Sequence, residues 1–176
     1  MSFVEAEVLQ IVEPFFRAIK AARTEGQLRD VLEATAIRFG FRSAMLAECG
    51  GEIAASVCFL LLDTRPDRKT WWGANYERIG DLLPKSIGQR LMNEPLVILE
   101  SDRTVGPTDE PMRQLDLLEL TLIPITRGGL LAGYLAFSGQ TTLGSLESLA
   151  LQTISVSLFV QCRLMRPAIV ETPRLH

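Results

Sequence analysis

Two apolar runs meeting at an Arg-Gly-Gly corner constrain this chain more than any other stretch. Residues 120–127 (Leu-Thr-Leu-Ile-Pro-Ile-Thr-Arg) and 130–138 (Leu-Leu-Ala-Gly-Tyr-Leu-Ala-Phe-Ser) are strand-like, and Gly128 and Gly129 supply the positive φ angles that a tight antiparallel turn demands. Alternation puts Leu131, Leu135 and Phe137 on one face and Leu130, Ala132, Tyr134 and Ala136 on the other, and neither set is charged. The hairpin is therefore expected at the centre of a sheet covered on both sides. Pro124 cannot donate to a ladder, so its nitrogen must face an edge, a bulge or a cavity. Gly133 leaves backbone bare for a close approach.

The rest of the chain supplies what such a sheet needs. Val4, Val8, Ile11, Val12, Phe15 and Ile19 recur at helical spacing, and Pro14 predicts either a kink or a helix that restarts with proline in its first turn. Thr24-Glu25-Gly26-Gln27 matches a capping box, after which Leu28, Val31, Leu32, Ala36 and Phe39 form one stripe until Gly40. Residues 41–48 and 52–63 are expected to be antiparallel strands joined at Gly50-Gly51, followed by a polar loop over 64–69. Short helices are expected at 76–83 and 87–92, a strand at 96–99, irregular chain over 100–111 and a helical turn over 112–118. Leu143, Leu146, Ala150, Ile154 and Leu158 describe a closing helix to about Met165. Its apolar arc is wide enough for two partners, the sheet on one side and the first helix or a second subunit on the other. Residues 1–166 thus form one domain, and 167–176 form a tail or the start of a linker toward an effector domain.

Composition narrows the function classes. The 176 residues are 47% hydrophobic and 22% charged, enough for one sizeable core. A net charge of -3 gives no general basic field, so no nucleic-acid contact is expected from this chain alone. The start lacks a basic segment before an apolar core, and the densest apolar run, 57–62, is too short to span a bilayer; a cytoplasmic location and no membrane partner are the expectation. Cys49, Cys58 and Cys162 are odd in number, lie in apolar runs and are expected as reduced core residues. His176 is the only histidine and sits in the tail, which removes His-based triads and metal-histidine sites; no enzyme activity, metal or cofactor is expected.

Six residues are candidates for contact with a ligand. Trp71 and Trp72 each offer an apolar face with one N–H suited to a carbonyl; the alternative is that one packs on the sheet edge while the other is half exposed. Tyr76, four residues after Trp72, shares its side if the segment is helical. Asp81 could hold a polar ligand group, although solvation or capping is the ordinary role of such a carboxylate. Thr121, like Ser56 and Ser138, is polar within an apolar strand and needs a hydrogen-bond partner, a backbone carbonyl first and a ligand second. Tyr134 points either into a helix-covered layer or into a cavity.

The order helix, helix, strand, strand, variable region, strand, hairpin, helix resembles the GAF-like sensor fold, which LuxR-type autoinducer-binding domains share in similar form. The residues carrying the likeness are 28–48, Glu94-Pro95-Leu96-Val97-Ile98, 120–137 with Ile123-Pro124-Ile125 and Gly129…Gly133, and 146–158. The resemblance implies an α+β domain, a central antiparallel sheet flanked by helices on both faces. Trp72-Gly73-Ala74-Asn75-Tyr76 is similar to the Trp-x-x-x-Tyr spacing lining acyl-homoserine-lactone pockets, in which Trp donates to the lactone carbonyl. The Asp-Pro pair of that family has no counterpart, Asp81-Leu82-Leu83-Pro84 being the nearest. Residues 88–102 resemble an ordinary GAF module, without the Asn-Lys-x-Phe-Asp-Glu signature of cyclic-nucleotide binders or the cysteine–histidine pair of bilin-attaching members. Thr172-Pro173-Arg174-Leu175 resembles the lead-in to a LuxR-type helix-turn-helix.

What the resemblance implies is a sensory domain of a transcription regulator that encloses a small, largely apolar ligand, acyl-homoserine-lactone-like, between the sheet and residues 71–84, and forms a homodimer through its first and last helices. The alternative is a ligand-free dimerisation or interaction module. A GAF-fold thiol reductase using Cys49 and Cys58 is a third reading, opposed by their apolar neighbours Leu46, Ala47, Phe59 and Leu60, which raise a thiol pKa.

Overall fold

A computed structural model describes residues 2–49, 58–75, 95–99 and 109–166, with 58, 72–75 and 109 described in backbone alone. Helix α1 (Phe3–Ala21) opens on a capping box in which Ser2 and Glu5 satisfy each other's backbone N–H. It runs through Pro14 as one helix, so a restart at Pro14 does not occur. Val8, Val12 and Ile19 are buried, with Phe15 and Phe16 packed against the same core; this burial supports the turn that Pro14 leaves one hydrogen bond short. Helix α2 (Glu25–Arg38) starts on the Thr24–Gln27 capping box and ends where Gly40 takes φ +83°. Its whole stripe, Leu28 to Phe39, is buried.

Among the described residues, five strands form one antiparallel sheet in the order β2-β1-β5-β4-β3: β1 (Ser43–Cys49), β2 (Cys58–Asp63), β3 (Leu96–Ile98), β4 (Leu120–Arg127) and β5 (Leu130–Ser138). The β4–β5 turn has Gly128 at φ +59° and Gly129 at +78°, both central residues left-handed as a two-residue hairpin turn requires. Among the described residues β3 pairs with β4 at Leu120–Leu122, and Pro124 lies past that pairing.

Alternation along β5 breaks at one place. The β4 register steps from Ile125↔Gly133 to Thr126↔Leu131, leaving Ala132 as a bulge. Leu131 consequently joins Tyr134 and Ala136 on one face, while Ala132 joins Leu135 and Phe137 on the other, the reverse of their assignment by strict alternation. A bulge adds one residue to one strand and inverts every side beyond it.

Helix α3 (Pro66–Asn75) takes up 66–69 of the expected loop, leaving 64 and 65 non-helical. Proline is preorganised for a first helical turn, Asp67 suits its positive end, and the Asp63 carboxylate accepts the Arg65 N–H at 2.8 Å just before it. Helix α4 (Asp109–Gln114) begins earlier than the turn expected at 112–118; Pro111 is tolerated in a first turn, where N–H groups have no helical partner. Asp116, at φ +58°, turns the chain toward β4. Helix α5 (Ser145–Met165) closes the domain and ends at Arg166, whose guanidinium donates to Leu61 O of edge strand β2 at 2.7 Å. Residues 50–57, 76–94, 100–108 and 167–176, with the short helices and the tail expected there, lie outside the described residues.

The layers follow from these elements. α2 and α5 pack on one face of the sheet and α1 lies along α5. That face joins Leu28, Leu32, Ile154 and Leu158 to Leu46, Ile123, Leu135 and Phe137, with the Phe41 and Phe137 rings stacked at 4.4 Å. The opposite face carries a second apolar cluster. By length and composition α5 could cross a bilayer, yet Ala150, Leu151, Ile154, Leu158 and Cys162 are buried in the core.

Candidate functional site

The second face is built from the strand positions that point away from α2 and α5. Met45 and Ala47 of β1, Leu122 of β4 and Tyr134 and Ala136 of β5 are buried there, beneath Met112 of α4 and the turn residues Leu117 and Leu118. Trp71 of α3, half-buried, packs on the same cluster, as do Leu60, Leu131 and Cys49. Tyr134 is 3% exposed and lies within the second cluster, on the face opposite the long helices. Gly133, one residue away, is where backbones crowd. A Cβ there would lie 2.3 Å from Ala47 O and 3.0 Å from the Phe159 ring, so the close approach comes from within the protein.

A buried ionic network pins α3 to this face. Arg68 is fully buried, and its Nη2 donates to Asp63 Oδ1 at 2.7 Å while Nε reaches both carboxylate oxygens at 3.0 and 3.1 Å. Its Nη1 donates to Ser138 Oγ at 3.0 Å and to Leu115 O at 3.4 Å. Ser138 Oγ donates to Asp116 O at 2.8 Å and is also 2.8 Å from Ser43 Oγ. Burial pushes the Asp63 carboxyl above its ordinary range against the pull of Arg68. Further out, Arg42 donates to both Asp116 oxygens at 2.7 and 2.8 Å; this pairing holds the Asp116 carboxyl below the usual carboxylate range. Arg65 does the same for Asp67.

Of the six candidate residues, the structure brings Trp71 and Tyr134 to one cluster and sets Thr121 apart from them. Thr121 pairs with Phe137 on the helical face, and its buried hydroxyl donates to Gly139 O at 3.1 Å. It lines a separate open groove of about 640 Å³ with Val97, Thr141, Leu143 and Ser148. Tyr76, Asp81 and the Trp72 side chain lie outside the described residues. Asp63 and Arg68 were not candidates from the sequence. The available signal was an aspartate ending an apolar strand with an arginine five positions on, the spacing that a first helical turn brings together.

The thiols are placed as follows. Cys162 is buried, and burial pushes its thiol up, as in an inert core cysteine. Cys49 is half-buried beside the second cluster, in register with Cys58 across β1 and β2. Among the described residues, no three of His, Cys, Asp and Glu gather as a metal-binding group.

These elements define a GAF-like α+β domain, an antiparallel sheet between helical layers. No protein-family model and no curated protein matches the sequence. Solved structures do match the fold. The GAF domain of A. aeolicus nlh2 in an inactive state is similar at TM-score 0.55 and 16% identity, over 93% of this chain and 99% of that one. A GAF domain from a phosphoenolpyruvate-protein phosphotransferase of Coxiella burnetii gives TM-score 0.57 at 17% identity, over 93% and 96%. The phycocyanobilin-bound GAF domain from a cyanobacterial phytochrome gives 0.53 at 14%, over 94% and 96%. Identities this low establish shared architecture, not shared chemistry.

Proposed function

We propose that this chain is a small-molecule-sensing regulatory domain, a binding module rather than an enzyme, whose ligand lies on the sheet face beneath α3. The observation that carries the reading is that Trp71 and Tyr134 share one apolar cluster on that face, in a fold whose solved neighbours include a domain with a bilin bound. An apolar wall with an indole N–H and a phenol fits a small, largely apolar molecule bearing a carbonyl. The Trp72…Tyr76 spacing supports an acyl-homoserine-lactone-like ligand within that class. Binding shifts the domain between states by its differential affinity for them.

The output side of the proposal is a cytoplasmic homodimer that couples α1 and α5 to a transcriptional effector beyond residue 166. Leu149, Val156, Val160 and Leu164 are exposed along α5 at spacings of seven, four and four, a stripe suited to a second helix. The same stripe favours the rival reading, a dimerisation module without ligand.

Native mass spectrometry of protein exposed to cell extract separates the two. The expected result is a bound small molecule on the wild type that is lost from Trp71→Ala and Trp72→Ala variants. A dimer carrying no adduct from any extract overturns sensing in favour of the dimerisation module.

A further inference from the structure

We infer that Arg68 is a positioning residue for the proposed site: its buried fork holds α3, the helix whose sequence carries both tryptophans, against the ends of β2 and β5 and the turn before β4. The inference rests on the ligand face proposed above but is carried by a different observation. A fully buried guanidinium is costly to desolvate, and here its hydrogen bonds go to three separate pieces of chain: Asp63 at the end of β2, Ser138 at the end of β5, and Leu115 O after α4. Each partner borders the second face. The network does not stop at Arg68, because Ser138 Oγ goes on to Asp116 O and Asp116 is gripped by Arg42 at the start of β1. Trp71, half-buried, packs from the same helix onto the second cluster. A short helix tied to three chain segments through one buried side chain opens as a unit when that tie is weakened. Lysine cannot reproduce the hold, since a point charge lacks the planar fork that reaches carboxylate, hydroxyl and carbonyl together.

The chain has two tryptophans, both on α3, so intrinsic fluorescence reports this helix while circular dichroism reports the whole domain. In urea titrations of the wild type the two signals change together. In Arg68→Lys and Ser138→Ala the fluorescence transition moves to lower urea than the dichroism transition. Amide exchange over 66–75 becomes about tenfold faster while α2 and α5 hold their protection. Coincident transitions with unchanged exchange over 66–75, in a folded variant, overturn the inference. If Arg68→Lys does not fold, Ser138→Ala decides by the same readouts, because it leaves the Arg68–Asp63 pair in place. No ligand enters these measurements, so the clamp can fail while ligand binding stands, and an adduct-free protein can still show the clamp.

Discussion

The two faces of the sheet are closed by different means. On the side of α2 and α5, branched and aromatic side chains such as Leu28, Leu32, Ile123, Phe137, Ile154 and Leu158 interlock and exclude water completely. On the side of α3 the buried set includes two methionines, Met45 and Met112, the small Ala47 and Ala136, and Tyr134, with Trp71, Cys49, Leu60 and Leu131 only partly covered. Methionine and small residues adapt to different neighbours, whereas interlocked branched side chains hold a single arrangement. The first face is therefore the scaffold. The second joins buried leucines such as Leu117 and Leu122 to methionines, Tyr134 and the Arg68–Asp63 pair, a mixed set whose flexible members can adapt around a guest.

Substitutions of similar size should expose the contrast. Leu32→Ala on the scaffold face is expected to cost about 4–5 kcal/mol in urea denaturation, whereas Met45→Ala on the α3 face costs about 2–3 kcal/mol because its neighbours adapt around the gap. Equal losses would break the distinction. Gly133→Ala probes the close approach of β1, β5 and α5, since its new methyl meets both Ala47 O and the Phe159 ring. A loss of about 1–3 kcal/mol in thermal melts is expected there, and a neutral result means that the strands can part. Thr24→Ala removes the cap of α2 and should cost about 1 kcal/mol, without altering tryptophan emission from α3.

The smallest effect is electrostatic. Arg42 lowers the folded pKa of Asp116, so this pair contributes stability above the ordinary carboxylate range and loses it as pH falls through that range toward the folded value. Asp63 has the opposite sign. Its folded pKa is raised, so its contribution is fully present below the ordinary value and diminishes as pH rises through the folded one. Arg42→Gln should remove only the Asp116 part, about 0.2–1 kcal/mol, and flatten the urea midpoint between neutral and acid pH. An unchanged pH profile would show that the pair is spectator chemistry.

The scaffold face was far more legible in the sequence than the α3 face. The Thr24–Gln27 box, the α2 stripe and the Gly128-Gly129 turn are local signals, and each led to the element observed. The faces of Leu131 and Ala132 were assigned wrongly because a bulge follows from pairing between strands, which alternation cannot see. Residues 64–69 looked like a loop because their charges dominate the pattern. The helix there depends on burying Arg68 against Asp63, a tertiary event that outweighs local polarity. Residue type singles out Tyr134, Trp71 and Thr121 alike. Type alone could not say that Thr121 faces the other side and meets a carbonyl there.

The most direct test of the account is hydrogen exchange on protein loaded from cell extract, compared with the same protein stripped of ligand. A guest beneath α3 should slow exchange in 58–63, 66–75 and 130–138 and leave 139–148 unchanged. Slowing confined to 139–148, where Thr141 and Ser148 line the groove beside Thr121, would move the site to the scaffold face and contradict the account.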